Sequence, residues 1–284
     1  MKSPATLRTA SLSGVAGFAC ITILFGASSS AIEIQQQKFP METPPRGEVR
    51  SEPLLKSEIP EVEATHVAIA GPASHTESPV DGFADILLFI QGRGSLGFNG
   101  EDHEINSETI ALPISSADVA IHVAEGDVLH YVRIRKQFSK QDLLDMKDFA
   151  SRAGGGIYLK KFEDCEAYRE AIKSPKTTSR TVLPAEFIPR VAMGTVQTTG
   201  PDEVGAHRHP MLDQLFLGLV ENDVIVTADD THARFTEFSL LHIPLGSLHG
   251  VKAQEGTKMY YMWMDFFLTK EGEEWLKTHK PVTE

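Results

Sequence analysis

The sequence HRHPMLDQ at residues 207–214, followed by PLGSLH at residues 244–249, decides how this chain is interpreted. Side chains alternate between two faces in an extended strand, so His207 and His209 should project to the same side, about 7 Å apart. Imidazole is the commonest side-chain metal ligand, and the glutamine adds an oxygen donor. The Pro-x-Gly turn returns a last histidine from another strand. The predicted ligands are His207, His209, Gln214 and His249.

The donor set indicates one divalent transition metal ion without fixing its identity. Imidazoles together with an amide oxygen suit iron(II), manganese, nickel or zinc. The competing interpretation is that these are ordinary surface or core histidines. Four residues in the right order, with the turn in place, favour a metal site.

The first 31 residues are typical of a secretory signal peptide. Lys2 and Arg8 give it a positive start, residues 15–24 form a short apolar stretch, and residues 29–31 are small. The apolar stretch is shorter than a membrane-spanning helix needs. We therefore expect a periplasmic or secreted protein, with an uncleaved N-terminal anchor as the alternative.

The charge of the mature chain limits its partners. The 27 Lys and Arg of the whole chain include Lys2 and Arg8, which leaves 25 against 39 Asp and Glu and a net charge of −14. Such a charge disfavours nucleic acids and anionic membrane surfaces as partners, and we expect no stable membrane insertion. Cys165 is the single cysteine of the mature chain, which excludes an intramolecular disulfide.

The 284 residues, 41% of them hydrophobic, are enough for two domains with real cores. Short β-rich runs broken by Gly and Asn-Gly turns predict small barrels or sandwiches. Helices are predicted at 139–154, where Ser139 and Asp142 form a capping box, and at 163–173 and 270–278. The predicted segments are a signal peptide 1–31, a Pro/Glu-rich linker or N-terminal arm 32–80, a first barrel 81–136, a helical connection 137–185, a metal-binding barrel 186–268 and a C-terminal helix 269–284.

The two β-rich regions are similar enough to indicate an internal repeat. The step from Pro113 to Asp118 matches that from Pro244 to His249, and Asp85 precedes Asp118 by nearly the interval that separates Gln214 from His249. Two carboxylates without imidazoles make a poor transition-metal site. We therefore expect an empty first barrel that stabilises the second barrel or mediates association. The four ligand positions would fall on Ser78, Val80, Asp85 and Asp118.

The motif pair at residues 207–214 and 244–249 resembles that of the cupin superfamily, and the two copies resemble a bicupin with a degenerate N-terminal barrel. The resemblance implies an all-β fold of two tandem cupin barrels, each a double-stranded β-helix or jelly roll, with a possible homodimer. Gln214 stands where the usual motif carries glutamate, and Glu221 stands where it carries glycine. A neutral amide leaves the ion more positive, which favours Lewis-acid chemistry.

The set of three histidines and a glutamine is similar to that of the sugar-acid cupins, which convert unsaturated uronates into open-chain keto sugars. Their strand after the last histidine ends in Asp-x-Phe, and the resemblance implies that Asp265 is the acid or base. The arginine-bearing loop that follows in that group is replaced by residues 268–271, LTKE. This departure leaves the substrate open.

The residues around Asp265 indicate the same role independently. Alternation places Asp265 on one strand face with Tyr261 and Trp263, and Met262 and Met264 on the other. If the first face lines the barrel, Asp265 is a carboxylate in a low-dielectric pocket beside a cation, poised for proton transfer. The alternative is an aspartate salt-bridged at the barrel rim. Tyr261 and Trp263 would be pocket wall or ordinary core.

Three functions remain open at this point. The leading hypothesis is an exported metal-dependent enzyme that acts on a small oxygen-rich substrate, such as a sugar acid, by isomerisation, ring opening or elimination. The second is a metal-dependent dioxygenase. The third is a non-catalytic metal- or sugar-binding protein.

Overall fold

Alternating apolar and polar residues between tight turns give two β-barrels in tandem. The computed structural model describes residues 33–114, 117–149 and 156–272, and these residues belong to one compact unit. The predicted signal peptide 1–31 lies outside the described residues. Residues 270–272 are helical, and the remainder of the predicted C-terminal helix also lies outside them.

The first half of the chain forms one barrel and lends a strand to the other. Its larger sheet has the order β10-β7-β5-β9-β3-β2. Strands β6 and β8 pair with the second half of the long strand β5, and β4 pairs with β8. The strands are β1 Gln36–Lys38, β2 Val49–Leu54, β3 Val62–Ala70, β4 Ala73–Glu77, β5 Phe83–Phe98, β6 Glu101–Asn106, β7 Thr109–Pro113, β8 Val119–Val123 and β9 Val128–Gln137.

The connection between the barrels is only partly helical. It comprises helix α1 Lys140–Phe149, strand β10 Ile157–Lys161, a 3₁₀ helix Phe162–Asp164, strand β11 Ala167–Tyr168 and strand β12 Thr178–Leu183. The capping box is confirmed, because the Asp142 carboxylate accepts from the Ser139 backbone N–H at 2.8 Å and Ser139 Oγ accepts from the Asp142 N–H at 3.1 Å. The helix predicted at 163–173 is wrong, because residues of this stretch pair with β12 instead.

The second barrel consists of two sheets facing each other. The seven-stranded sheet has the order β1-β18-β15-β20-β13-β12-β11, and the four-stranded sheet has the order β14-β19-β16-β17. The strands are β13 Val191–Thr199, β14 Asp202–His207, β15 Leu212–Gly218, β16 Asp223–Ala228, β17 Thr231–Thr236, β18 Ser239–Ile243, β19 His249–Ala253 and β20 Lys258–Phe267.

The connecting segments tie the two barrels together by exchanging strands. Strand β1, from the segment predicted as a linker or arm, pairs with β18 of the second barrel. Strand β10, from the connection, pairs with β7 of the first barrel. The arm also supplies β2, which pairs with β3 of the first barrel. Residues 33–80 are therefore part of both barrels rather than a free linker.

The pairing of strands β4 and β8 corrects the predicted alignment of the repeat. Glu77 lies opposite Val119 in the first barrel, as His207 lies opposite His249 in the second. Asp85 lies opposite Arg135 as Gln214 lies opposite Asp265, so the connection from Glu77 to Asp85 is one residue longer than that from His207 to Gln214. Pro113 aligns with Ile243 rather than with Pro244, which moves the equivalent of His249 from Asp118 to Val119. The predicted equivalents Ser78 and Asp118 are wrong for these two ligands.

Apolar residues fill three layers. One cluster lies inside the first barrel and a second inside the second barrel. A third joins the outer faces of the two large sheets and draws residues from both barrels, such as Ile86 and Ile134 from the first and Met262 and Met264 from the second. The two sheets therefore pack face to face across a shared core.

Candidate metal centre

Three histidines meet inside the second barrel. His207 ends strand β14, His209 follows in the loop, and His249 begins the neighbouring strand β19, directly opposite His207. All three are buried, and one nitrogen from each lies within 4.8 Å of the others. The ring centroids of His207 and His249 are 4.3 Å apart. The structure therefore brings together the three histidines of the predicted site.

Backbone carbonyls orient two of these rings. His207 Nδ1 lies 2.7 Å from the Gly205 carbonyl oxygen, and His249 Nδ1 lies 3.3 Å from the Ser247 carbonyl oxygen. A carbonyl oxygen only accepts, so each Nδ1 carries the proton and each Nε2 keeps a lone pair. This second contact fixes the tautomer of metal-ligating histidines.

Gln214 presents an amide oxygen to the interior of the same barrel. Its Nε2 donates to Asp265 Oδ1 at 2.6 Å, across the pairing of β15 with β20. Its Oε1 is buried and accepts no hydrogen bond from any described residue. A buried acceptor without a donor is costly, and a cation would satisfy it. Three imidazoles with this oxygen fit a first-row divalent ion and do not select one.

Asp265 is buried in the barrel wall. Its side chain is 2% exposed and accepts a hydrogen bond from Gln214, so it is not a rim residue. Burial, together with the negative charge of Glu170, raises the pKa of Asp265 to about 7, although the Gln214 hydrogen bond and the charge of Lys173 oppose the shift.

The predicted faces of strand β20 are confirmed. Tyr261 and Trp263 pack with the apolar cluster inside the second barrel, whereas Met262 and Met264 belong to the core between the barrels. The Tyr261 ring lies 4.6 Å from that of Phe216, and Phe216 in turn contacts His249. Aromatic side chains therefore form the apolar surroundings of the histidine cluster.

Residues of the connection also reach this barrel, and sequence reasoning missed them. Lys173 forms a β-bridge with Val204, and its Nζ donates to Glu170 Oε1 at 2.9 Å and to Ser179 Oγ at 3.1 Å. The Tyr168 hydroxyl is hydrogen-bonded to Glu170 and to Trp263. These residues match no metal or catalytic motif, and their stretch was predicted as helix. Their placement follows from the path of the chain, which local sequence does not encode.

The other histidines that the structure describes, and Arg208, lie outside the site. His242 pairs with Glu58 at 2.9 Å, and His232 is exposed. Arg208 points away from the cluster, as expected, and donates to the Gly246 carbonyl oxygen at 2.9 Å. His122 is hydrogen-bonded to Ser74 on the outside of the first barrel.

The first barrel holds ion pairs at the positions equivalent to the metal site. Glu77, in the place of His207, accepts from the Tyr131 hydroxyl and from Arg133, both at 2.7 Å. Asp85 stands in the place of Gln214, and Arg135 stands in the place of Asp265. The two side chains form a bidentate salt bridge with hydrogen bonds of 2.7 and 2.8 Å. Within the described residues, the histidine cluster of the second barrel is the one group arranged for a metal ion.

Comparisons with known structures identify the fold. A mutant of Bacillus subtilis oxalate decarboxylase is similar with a TM-score of 0.59 and 10% identity, covering 84% of this chain and 78% of that one. A cupin 2 conserved barrel domain protein from Leptotrichia buccalis gives a TM-score of 0.57 at 15% identity, and the match covers 83% of this chain and 98% of that protein. Procruciferin, an 11S globulin from Brassica napus, gives a TM-score of 0.61 at 10% identity, and the match covers 86% of this chain and 87% of procruciferin.

The sequence matches no protein-family model, and no curated protein matches it either. At such low identity the structural similarity establishes the fold, which is that of two cupin jelly-roll barrels in tandem. Among the described residues, no helix combines the length and apolar composition needed to cross a bilayer.

Proposed function

We propose that this chain is an exported, metal-dependent cupin enzyme that acts on a small oxygen-rich substrate, such as a sugar acid, by isomerisation, ring opening or elimination. One observation carries the proposal: three clustered histidines, and an amide oxygen without a donor among the described residues, lie with a buried carboxyl group inside one barrel. Oxalate decarboxylase, which has the same fold, is named for a small acid substrate, and this supports a small acid here.

In the proposed mechanism, different residues bind the metal ion and transfer the proton. His207, His209, His249 and Gln214 Oε1 would hold the ion, which when bound supplies Lewis-acid polarisation of a substrate carbonyl or hydroxyl. Asp265 Oδ1 is engaged by Gln214, so Oδ2 is the atom that would take or give a proton. The neighbouring aromatic rings exclude water from this carboxyl group.

Metal content tests the proposal first. We expect about one transition-metal ion per chain in the purified protein, because one nitrogen from each of three buried histidines lies within 4.8 Å of the others. Elemental analysis should show its loss from a His207→Ala/His249→Ala variant. His232→Ala, which removes an exposed histidine, is the matched control and should keep the ion. A protein that takes up no metal even after reconstitution would contradict the proposal, and the identity of a bound ion would choose among iron, manganese, nickel and zinc.

Asp265 separates an enzyme from a binding protein. Asp265→Asn keeps the size of the side chain and removes the transferable proton, so turnover should fall by about 10²-fold or more. Turnover would be followed by NMR over a panel of uronates and unsaturated uronates, with calorimetric binding as the reference. Tight binding without turnover in either protein would favour the non-catalytic alternative. Consumption of oxygen on substrate addition would instead assign a dioxygenase.

Export is proposed from residues 1–31 alone. The mass of the mature protein from its native cell, measured on separated cell fractions, should show cleavage near residue 31 and enrichment outside the cytoplasm. An intact N-terminus in a membrane fraction would indicate the uncleaved anchor.

A further inference from the structure

Residues 168–173 form part of the wall of the second barrel. The Gly205 backbone N–H donates to the Ile172 carbonyl oxygen at 2.8 Å, and the Gly205 carbonyl oxygen accepts from His207 Nδ1. Gly205 therefore connects this stretch to the ring of His207 through one hydrogen bond on each side. Just beyond it, the Asp202 carboxylate accepts from Ser174 and Thr177 at 2.8 and 3.0 Å. The C-terminal end of the stretch is thus anchored to strand β14, and its N-terminal end pairs with β12.

Lys173 directs its ammonium group to the inside of the barrel. Directly opposed residues in an antiparallel pair share a face. Lys173 lies opposite Val204, and Ser179, which accepts from its Nζ, lies opposite Val196. Val204 and Val196 both belong to the apolar cluster inside the second barrel. The lysine side chain is only 6% exposed.

This buried lysine has no evident structural necessity. Burial lowers the pKa of Lys173, and the Glu170 carboxylate opposes the shift. A buried ion pair often stabilises a fold no more than apolar residues of similar volume would. The pair nevertheless lies close enough to Asp265 for both of its charges to act on that carboxyl group.

The ammonium group keeps capacity for a ligand. It carries three N–H donors, of which Glu170 and Ser179 take two among the described residues. Tyr168 lies beneath it, with the ring centroid 5.7 Å from Nζ, and the Tyr168 hydroxyl is hydrogen-bonded to Glu170 and Trp263. The hydrogen-bonded chain from Trp263 through Tyr168 and Glu170 holds the lysine in one position.

We propose that Lys173 is a substrate-binding residue that recognises a carboxylate on the substrate of the metal centre. The inference rests on the proposed function and specifies its substrate class as a small acid. A carboxylate bound to the remaining N–H donor would place the rest of a small molecule toward Asp265 and the histidines. Neutral sugars of the same shape would lack this contact.

Binding calorimetry on the metal-loaded full chain tests the assignment with D-galacturonate and D-galactose, which differ by one carboxylate. We expect wild type to prefer the acid and Lys173→Gln to lose about tenfold in affinity for it, with galactose binding unchanged. Lys173→Arg should keep most of the preference. Lys176→Gln, which removes an exposed neighbouring lysine, is the matched control and should behave as wild type.

Removing the lysine leaves the partly buried Glu170 without its cation, which destabilises the Lys173→Gln protein. The double variant Glu170→Gln/Lys173→Gln removes both charges and should fold and lose the preference for the acid. Equal losses for both sugars, an unchanged affinity for the acid, or a wild type that does not prefer the acid would overturn the assignment. Metal content, measured on the same samples, reports separately on the proposed function.

Discussion

Single residues decide what each barrel holds. At equivalent positions, His207 belongs to a cluster of imidazoles, whereas Glu77 accepts hydrogen bonds from Tyr131 and Arg133. The arginine cation of the first barrel takes the place that a metal ion would have in the second. The ion pair between Glu77 and Arg133 and the hydrogen bonds of the Glu77 carboxylate hold its pKa at about 2, although burial opposes this shift. The first barrel therefore satisfies its buried charges without an ion.

A second residue-scale feature is the buried histidine pair of the first barrel. His66 Nε2 lies 3.2 Å from His130 Nδ1, and the His66 ring also stacks on Phe39. Burial, together with the charges of His130 and Arg50, lowers the pKa of His66 from 6.5 to about 4. The neutral pair is therefore the form that the fold accommodates.

The pair predicts loss of stability in mild acid. Between pH 6.5 and 4 the unfolded chain binds a proton that folded His66 does not, so this stabilisation is complete above pH 6.5 and declines below it. At pH 5 the loss should be about 2 kcal/mol. Urea unfolding at pH 7.5 and pH 5 should show that His66→Gln loses less stability than wild type. Equal losses in the two proteins would contradict the prediction.

At the scale of elements, one glycine allows strand β13 to pack against Trp263. Gly194 lies between Thr181 on β12 and Trp263 on β20. A Cβ atom at Gly194 would overlap with the Arg180 carbonyl oxygen and with the indole ring. The glycine is therefore required by close approach of backbone and ring.

Gly194→Ala should lower the free energy of unfolding by about 2 kcal/mol, because the strand and the ring must both move. It should also change the fluorescence of Trp263, which lies against the site. Gln197→Ala, on an exposed position of the same strand, is the control and should have little effect on either property. Chemical denaturation followed by fluorescence measures both, and an unperturbed Gly194→Ala protein would refute the packing argument.

The elements also show what sequence could predict. The β-rich runs, the capping box of α1 and the ligand spacing were accessible because each depends on local pattern. Residues 163–173 were assigned to a helix because Glu, Ala and Lys favour one, yet pairing with β12 overrides that propensity. The repeat alignment was displaced by one residue, because the connection from Glu77 to Asp85 is one residue longer than its counterpart in the second barrel and Pro113 aligns with Ile243 rather than with Pro244.

The face of β20 that carries Tyr261, Trp263 and Asp265 was predictable because a strand fixes which residues share a face. His209 joins the histidine cluster from the loop after β14, so strand alternation does not account for its position. Glu170 and Lys173 were not predictable, because their approach to the site depends on the route of the connection between barrels. Glu221 has a positive φ of 63°, a conformation that favours glycine. The cupin resemblance leads us to expect a glycine at this position. The backbone at Glu221 has the conformation typical of that glycine, and the side chain is the part that differs from the cupin motif.

At the scale of the whole molecule, the shared core and the exchanged strands make the two barrels one structural unit. Strand β1 pairs with the second barrel and β10 with the first. The outer faces of both large sheets contribute fully buried side chains to one apolar layer. Separating the barrels would expose that layer, which hydrophobic burial strongly disfavours. The first barrel therefore stabilises the second barrel through the shared apolar layer.

This coupling predicts one cooperative unfolding transition. Ile86 is fully buried in the layer between the barrels, so Ile86→Ala should cost about 3 kcal/mol. Both tryptophans lie in the second half of the chain. Their fluorescence should therefore report the destabilisation although the substitution is in the first barrel, and its midpoint should coincide with that of circular dichroism. Leu143→Ala, at an exposed position of α1, should leave the midpoint unchanged. If Ile86→Ala shifts the unfolding midpoint measured by circular dichroism and leaves the fluorescence midpoint unchanged, the two barrels unfold independently.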